Sequence, residues 1–272
     1  MLSGKTLRYK NSTIGYLRID GGKQLAFCFP GFGEPSESFS IFKGYLKNYT
    51  LIALDLPFQG TTDWQEGLDI APEQFWEILQ LIKTQENFFD KDPIALIGYS
   101  LGGRLALTML ENYSDKISFT HLIASDGLKI NFWYRMVSQT HLGNKIFKFT
   151  IHHPGWFINS VSLMKRMRLI NKTSEKLVSN YLHNAVVRKQ VYDVWTAFRY
   201  FKPNLKKIKL IINKQEKPVK IVMGRFDKVI PPRLGQKFQY GIEEYSTLTI
   251  IESGHQILQP KHAPGISKVL EL

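Results

Sequence analysis

Short apolar runs recur through the first and last thirds of the chain, each closed by a turn residue. Gln24-Leu-Ala-Phe-Cys-Phe29 ends at Pro30-Gly31, and Thr50-Leu-Ile-Ala-Leu54 ends at Asp55. Ile94-Ala-Leu-Ile97, His121-Leu-Ile-Ala124, Val219-Lys-Ile-Val-Met223 and Leu248-Thr-Ile-Ile251 follow the same plan. Runs this short and this rich in β-branched residues predict strands covered on both faces, as in a mostly parallel sheet. Thr13-Ile-Gly-Tyr-Leu-Arg-Ile19 partly alternates and turns at Asp20-Gly-Gly22, which predicts a further strand. Between the runs the spacing becomes helical, over Ala71–Ile82, with Pro72 suited to a first turn, and over Leu101–Asn112. Strand alternating with helix predicts an α/β fold, doubly wound around a mostly parallel central sheet.

The middle of the chain breaks this plan. Lys145–Phe149, Leu163–Ile170, Lys176–Leu182 and Val187–Phe201 carry apolar residues among Lys and Arg, the last two at helical spacing. They predict a mostly helical insertion over residues 128–217, between core segments 1–127 and 218–272. Charge marks the same insertion. Of 36 Lys/Arg, 18 lie between Lys129 and Lys217, with only 3 of the 23 Asp/Glu, so this span carries the whole excess behind the net charge of +13. Two expectations stand side by side. The basic insertion is a solvated face that aids solubility, or it gathers an anionic substrate or touches an anionic membrane surface. Its aromatic residues, Phe132-Trp133-Tyr134, Phe147, Phe149, Trp156-Phe157, Trp195 and Phe198, form its own core or wall an apolar pocket. No nucleic-acid partner is expected, because no nucleic-acid-binding motif accompanies the charge.

With 272 residues and 43% apolar content, the chain supports a sizeable core. No run approaches the ~20 apolar residues of a membrane span, and the first residues lack the apolar stretch of a secretory signal. Cys28 is the single cysteine, so no internal disulfide forms, and a reducing, cytoplasmic setting is expected. Its apolar run makes it a core residue. Adjacent His152 and His153 point in different directions with no carboxylate nearby, so no metal is expected.

The chemistry gathers around Gly98-Tyr99-Ser100-Leu101-Gly102. A serine between small residues, after a strand and before a helix, is either a helix cap or a nucleophile on a sharp turn. A serine nucleophile needs a base, and the base needs an orienting carboxylate. His255, in Glu252-Ser-Gly-His255, follows one late strand, and Asp227, in Gly224-Arg-Phe-Asp227, follows another. Both fall at carboxyl ends of strands, where open α/β sheets place their sites.

These residues resemble the α/β-hydrolase superfamily. The resemblance covers residues 14–127 and 218–272 and rests on five motifs in order: Phe29-Pro-Gly31-Phe32-Gly33, Asp55-Leu-Pro-Phe-Gln-Gly60, Gly98-Tyr-Ser-Leu-Gly-Gly103, Gly224-Arg-Phe-Asp227 and Ser253-Gly-His255. It implies Ser100 as nucleophile, His255 as general base and acid, and Asp227 as the carboxylate that orients the imidazole. It also implies an oxyanion hole from the backbone N–H groups of Phe32 and Leu101, and it makes the insertion a cap. Asp126, after another core strand, is the rival acid, Asp55 a loop-orienting residue, and Arg104 a packing or ion-pair residue. The family usually has His-Gly where this chain has Pro30-Gly31, so rigidity stands in for the imidazole that supports the oxyanion loop. The implied activity is a serine esterase or thioesterase acting on a small acyl substrate, anionic if the cap gathers anions, through an acyl-enzyme and without a cofactor. Acyl transfer, C–C cleavage or elimination on the same residues is the alternative, and a non-catalytic binding protein is a third reading.

Overall fold

The computed structural model of the chain describes residues 2–89, 91–129, 132–157, 159, 160 and 184–270. They form an eight-stranded sheet from β1 (Leu2–Tyr9), β2 (Ser12–Ile19), β3 (Gln24–Phe29), β4 (Tyr49–Leu54), β5 (Ile94–Tyr99), β6 (Ile117–Ile123), β7 (Val219–Gly224) and β8 (Ser246–Ile251). The strand order is β1-β2-β4-β3-β5-β6-β7-β8, and every pair from β4 onward is parallel. The antiparallel hairpin β1–β2 closes one edge. The α/β architecture with a parallel sheet is therefore as the alternation predicts. β3, β4 and β5 are buried along nearly their whole lengths, which is why they read as continuous apolar runs.

The helices are α1 (Pro72–Gln85), α2 (Leu101–Tyr113), α3 (Phe132–Gln139), α4 (His141–His152), α5 (Ala185–Ala197), α6 (Leu205–Gln215), α7 (Arg233–Gln239) and α8 (Ala263–Leu270). Pro72 occupies the first turn of α1, where its missing N–H costs no hydrogen bond. Asn184 and Asn204 cap α5 and α6 by accepting N–H groups of the first turn.

Packing divides the chain into two compact units: residues 1–66, 71–130 and 201–272, and residues 67–70 and 131–200. The lysine-rich span is shared between them. α6, with Lys206, Lys207, Lys209 and Lys214, belongs to the first unit, where the Asn204 N–H donates to Glu111 on α2 at 2.7 Å and Lys207 pairs with the same carboxylate at 3.4 Å. The second unit has its own aromatic core. Tyr134 meets Trp195 edge-on at 5.3 Å, and Phe147 packs on Tyr192 at 5.3 Å and on Trp195 at 5.9 Å. The Ile70 N–H donates to the Ala197 carbonyl, and Arg199 pairs with Asp69. The sequence stretches Leu163–Ile170 and Lys176–Leu182 lie outside the described residues, as do the side chains of Phe132 and Trp133.

Two buried polar groups in the first unit matter for stability. The Glu86 carboxylate, just past α1, accepts from Lys5 at 2.8 Å, Tyr16 at 2.5 Å and Arg18 at 2.5 Å. Burial pushes its pKa up, but these three donors outweigh burial and hold it below the usual value. The hairpin β1–β2 is thereby tied to the end of α1.

His121 is the opposite case. It is fully buried on β6, with neither ring nitrogen hydrogen-bonded among the described residues, against Phe119 at 4.2 Å and opposite Lys220 on β7. Burial first, and Lys220 second, hold its pKa well below the ordinary value. The folded state keeps the ring neutral while the unfolded chain takes up a proton near pH ~6.5. Stability is thus full above that pH and is lost below it, by about 1.4 kcal/mol per pH unit while the folded ring stays neutral. Denaturant titrations between neutral pH and the onset of carboxylate protonation should show this slope in the wild type and most of it removed in His121→Leu. An unchanged slope in the variant would assign the acid sensitivity elsewhere.

Candidate active site

The site is built at the carboxyl ends of β3, β5, β7 and β8. β5 ends at Tyr99 and α2 begins at Leu101, so one residue, Ser100, makes the whole turn from strand to helix. Its φ of 50° and ψ of −117° lie where a side chain is rarely found. The strain is held by backbone hydrogen bonds. The Ser100 N–H donates to the Ile123 carbonyl at 3.0 Å, and the Ser100 carbonyl accepts from Gly103 and Asp126, both at 2.9 Å. Although Ser100 stands at the N-cap position, its side chain makes no capping hydrogen bond. The hydroxyl instead lies 3.0 Å from His255 Nε2.

Small residues let this turn sit so tightly. A Cβ at Gly98 would lie 2.5 Å from the Gly102 carbonyl oxygen, and one at Gly102 would lie 1.9 Å from the Phe29 carbonyl oxygen. A Cβ at Gly31 would lie 3.2 Å from that of Ser100, so the loop after β3 runs directly against the serine.

The loops after β7 and β8 are stitched together. Arg225 N–H donates to the Ile251 carbonyl and Phe226 N–H to the Ser253 carbonyl, both at 2.9 Å. Asp227 and His255 are thereby placed side by side, with Nδ1 2.7 Å from Asp227 Oδ2. The second oxygen, Oδ1, accepts the N–H groups of Val229 and Ile230, each at 2.8 Å. The carboxylate is buried and aimed by three donors. A proton on Nδ1 shared with Asp227 leaves Nε2 as the acceptor for the serine hydroxyl. The imidazole keeps 22% of its side-chain surface, so its edge is open to an incoming molecule.

The other candidates fall elsewhere. Asp126 faces away from this relay: its carboxylate pairs with Arg104 and accepts the Gly127 N–H at 2.7 Å. Arg104 is buried, and its ion pair braces the segment whose N–H holds the Ser100 carbonyl. Asp55 accepts the N–H groups of Ser36 at 2.7 Å and Thr61 at 2.9 Å, so it binds together the loops after β3 and β4. His153 packs on Phe149 in a tilted arrangement at 4.8 Å in the helical unit.

Leu101 opens α2, where an N–H has no partner within the helix. Phe32 lies in the loop after β3, between Gly31 and Gly33. That loop is held by more than the rigidity of Pro30. The Gly33 N–H donates to Gln59 Oε1, and Gly33 adopts a φ of 74°. Gln59 is buried, and its Nε2 has no hydrogen-bond partner among the described residues. Since Gly33 offers a donor, the amide oxygen must face it. Sequence patterning did not single out Gln59, although it lies inside one of the five motifs. Tyr99 was also missed as a site residue. Its hydroxyl donates to the His255 carbonyl at 3.1 Å and its ring lies 5.8 Å from the imidazole. Burial, then the carboxylates of Glu34 and Asp227, push the Tyr99 phenol pKa up, so it remains a donor.

A family model described as the alpha/beta hydrolase fold matches residues 27–259. The chain is similar to the uncharacterized hydrolase YugF of Bacillus subtilis (strain 168), with 22% identity covering 90% of this chain and 87% of that one. In structure it is similar to a thermophilic esterase from Thermogutta terrifontis, at a TM-score of 0.67 and 15% identity over 99% of this chain and 96% of that one. It is likewise similar to the thioesterase domain from the curacin biosynthetic pathway, at a TM-score of 0.63 and 15% identity over 99% of each chain.

Because the Gly102 Cα faces the backbone of β3, its substitution tests the turn directly. Gly102→Ala should lower unfolding stability by more than about 2 kcal/mol, read as a shifted urea midpoint. A midpoint within error of the wild type would mean that the contact yields at little cost.

Proposed function

As the chain belongs to the α/β-hydrolase fold family, we propose that it is a serine hydrolase that cleaves a small carboxylic ester or thioester through an acyl-enzyme. The observation that carries this reading is the continuous relay Ser100 Oγ–His255 Nε2 at 3.0 Å and His255 Nδ1–Asp227 Oδ2 at 2.7 Å. Ser100 Oγ attacks the acyl carbon while its proton passes to Nε2. The negative charge that builds on the carbonyl oxygen is met by the N–H groups of Phe32 and Leu101, the latter at a helix N-terminus. The tetrahedral species collapses, its bond to the leaving alcohol or thiol breaks, and the imidazolium returns the proton to that group. Water then repeats the sequence against the acyl-serine, with His255 as base. Asp227 stays ionised throughout and stabilises the imidazolium. On the same reading the helical insertion is the cap of this family member. The esterase and thioesterase among the structural neighbours suit the proposed substrates.

Gln59 acts as a positioning residue. By holding the Gly33 N–H it sets the peptide that follows Phe32, and so the direction of the Phe32 N–H.

A panel of ester and thioester substrates tests the assignment. Ser100→Ala should abolish turnover, and Asp227→Asn should lower kcat by roughly 10⁴-fold, while Asp126→Asn leaves most activity. A silent Asp227→Asn beside a crippled Asp126→Asn would overturn the choice of acid. Gln59→Met, which keeps the volume and loses the acceptor, should lower kcat about 10²-fold with KM and the urea midpoint little changed. Gln59→Glu, which restores an acceptor oxygen, should recover part of the loss. Equal losses in both variants, or a loss that tracks stability alone, would reduce Gln59 to packing.

A further inference from the structure

The second unit carries an apolar stripe that the described part of its core leaves exposed. On α4, Leu142, Ile146 and Phe149 recur at i, i+4 and i+7, one face of a helix, and are 69%, 48% and 56% exposed. The packed side of the helix runs from buried Thr150, beside Ile146, through Phe147 on Tyr192 and Trp195 to buried Ile151. Lys145, exposed, borders the stripe on one side, and Lys148, also exposed, follows it one turn on along that side. Beside it, the α3 carbonyl of Met136 would meet a Cβ at Gly143 at 1.9 Å, and the Met136 side chain is 40% exposed. Trp156, just beyond α4, is 44% exposed.

The charge along this stretch of chain has one sign: among the described residues from Lys129 to Ser160, Lys129, Arg135, Lys145 and Lys148 are basic and none is Asp or Glu. An apolar helix face bordered by lysines, with an aromatic residue at its edge, is the pattern of a helix that lies in the interface of an anionic bilayer. Leu142 and Ile146 offer no π-face on which a base can stack, which disfavours single-stranded nucleic acid as the occupant. A protein partner would need acidic side chains around an apolar groove, whereas an anionic leaflet supplies both features at once.

We propose that this face of α4 docks the protein onto an anionic lipid surface. Leu142, Ile146 and Phe149 enter the boundary between headgroups and acyl chains, and Lys145 and Lys148 meet the lipid phosphates. The docking does not rest on the proposed reaction, since none of these residues belongs to the relay.

Co-sedimentation of the full chain with vesicles tests it. Vesicles of equimolar phosphatidylcholine and phosphatidylglycerol should pull the protein down, in a salt-sensitive manner, and pure phosphatidylcholine should do so far less. Ile146→Asp/Phe149→Asp and Lys145→Glu/Lys148→Glu should each weaken binding about tenfold or more, with circular dichroism unchanged. Ser100→Ala should bind like the wild type, which separates docking from turnover. Absence of binding to the anionic vesicles, or binding by either variant as tight as the wild type's, would overturn the proposal. So would variants that bind vesicles normally but turn over a water-soluble short-chain ester poorly, which would make the stripe a wall of the substrate site. Tighter binding to single-stranded RNA than to vesicles, lost in the same variants, would assign the face to nucleic acid instead.

Discussion

Ser100 occupies backbone angles that a side chain avoids, and the rest of the site depends on the protein keeping it there. A turn of one residue between β5 and α2 leaves the hydroxyl standing off the end of the sheet with the start of a helix beneath it. Three backbone hydrogen bonds, to Ile123, Gly103 and Asp126, hold that conformation. They exist because β5 and β6 are paired up to Tyr99 and Ile123. They also need Gly98 and Gly102, because a methyl group at either position would collide with backbone. The strain of order 1–3 kcal/mol in such a residue is thus borne by the sheet as a whole. Loosening it would turn the hydroxyl toward ordinary helix capping.

Around that turn the loops are fastened to one another more than to the strands they extend. Asp55 joins the loops after β3 and β4, Gln59 fastens Gly33, and the loop after β7 donates backbone hydrogen bonds to the end of β8 and the loop beyond it. The imidazole is held from two sides, by the Asp227 carboxylate at Nδ1 and by the Tyr99 hydroxyl at the backbone carbonyl. Groups held this way need little reorganisation when charge appears, which is how a preorganised site lowers a barrier. The loop that holds Pro30 and Gly33 is fastened by a side chain from a neighbouring loop, Gln59.

Much of this was legible in the sequence, for identifiable reasons. β3 spans the same residues as its apolar run because a strand buried on both faces leaves no polar alternation to blur its ends. β6 begins at Ile117 and not at His121, because Ser118 is exposed and breaks the run at its start. β1 has no apolar run, since most of its residues are exposed at the sheet edge. Ser100, Asp227 and His255 could be nominated from local motifs at strand ends, and the fold brings them together. Gln59 and Tyr99 could not, because their roles depend on which loops become neighbours. Net charge marked a lysine-rich span that starts beside the packing division after residue 130 and runs past the one after Tyr200. Lysines accumulate wherever a surface faces water, so α6 shares the composition of the helical unit while packing on α2.

The most direct measurement is covalent labelling by a fluorophosphonate, which traps a serine only when its hydroxyl is activated and an oxyanion site receives the developing charge. Intact-mass and peptide analysis of the wild type should show one phosphonyl adduct, on Ser100, formed with loss of fluoride. Labelling of another residue, or a folded wild-type protein that takes up no label, would contradict the account of Ser100 as a nucleophile activated by His255.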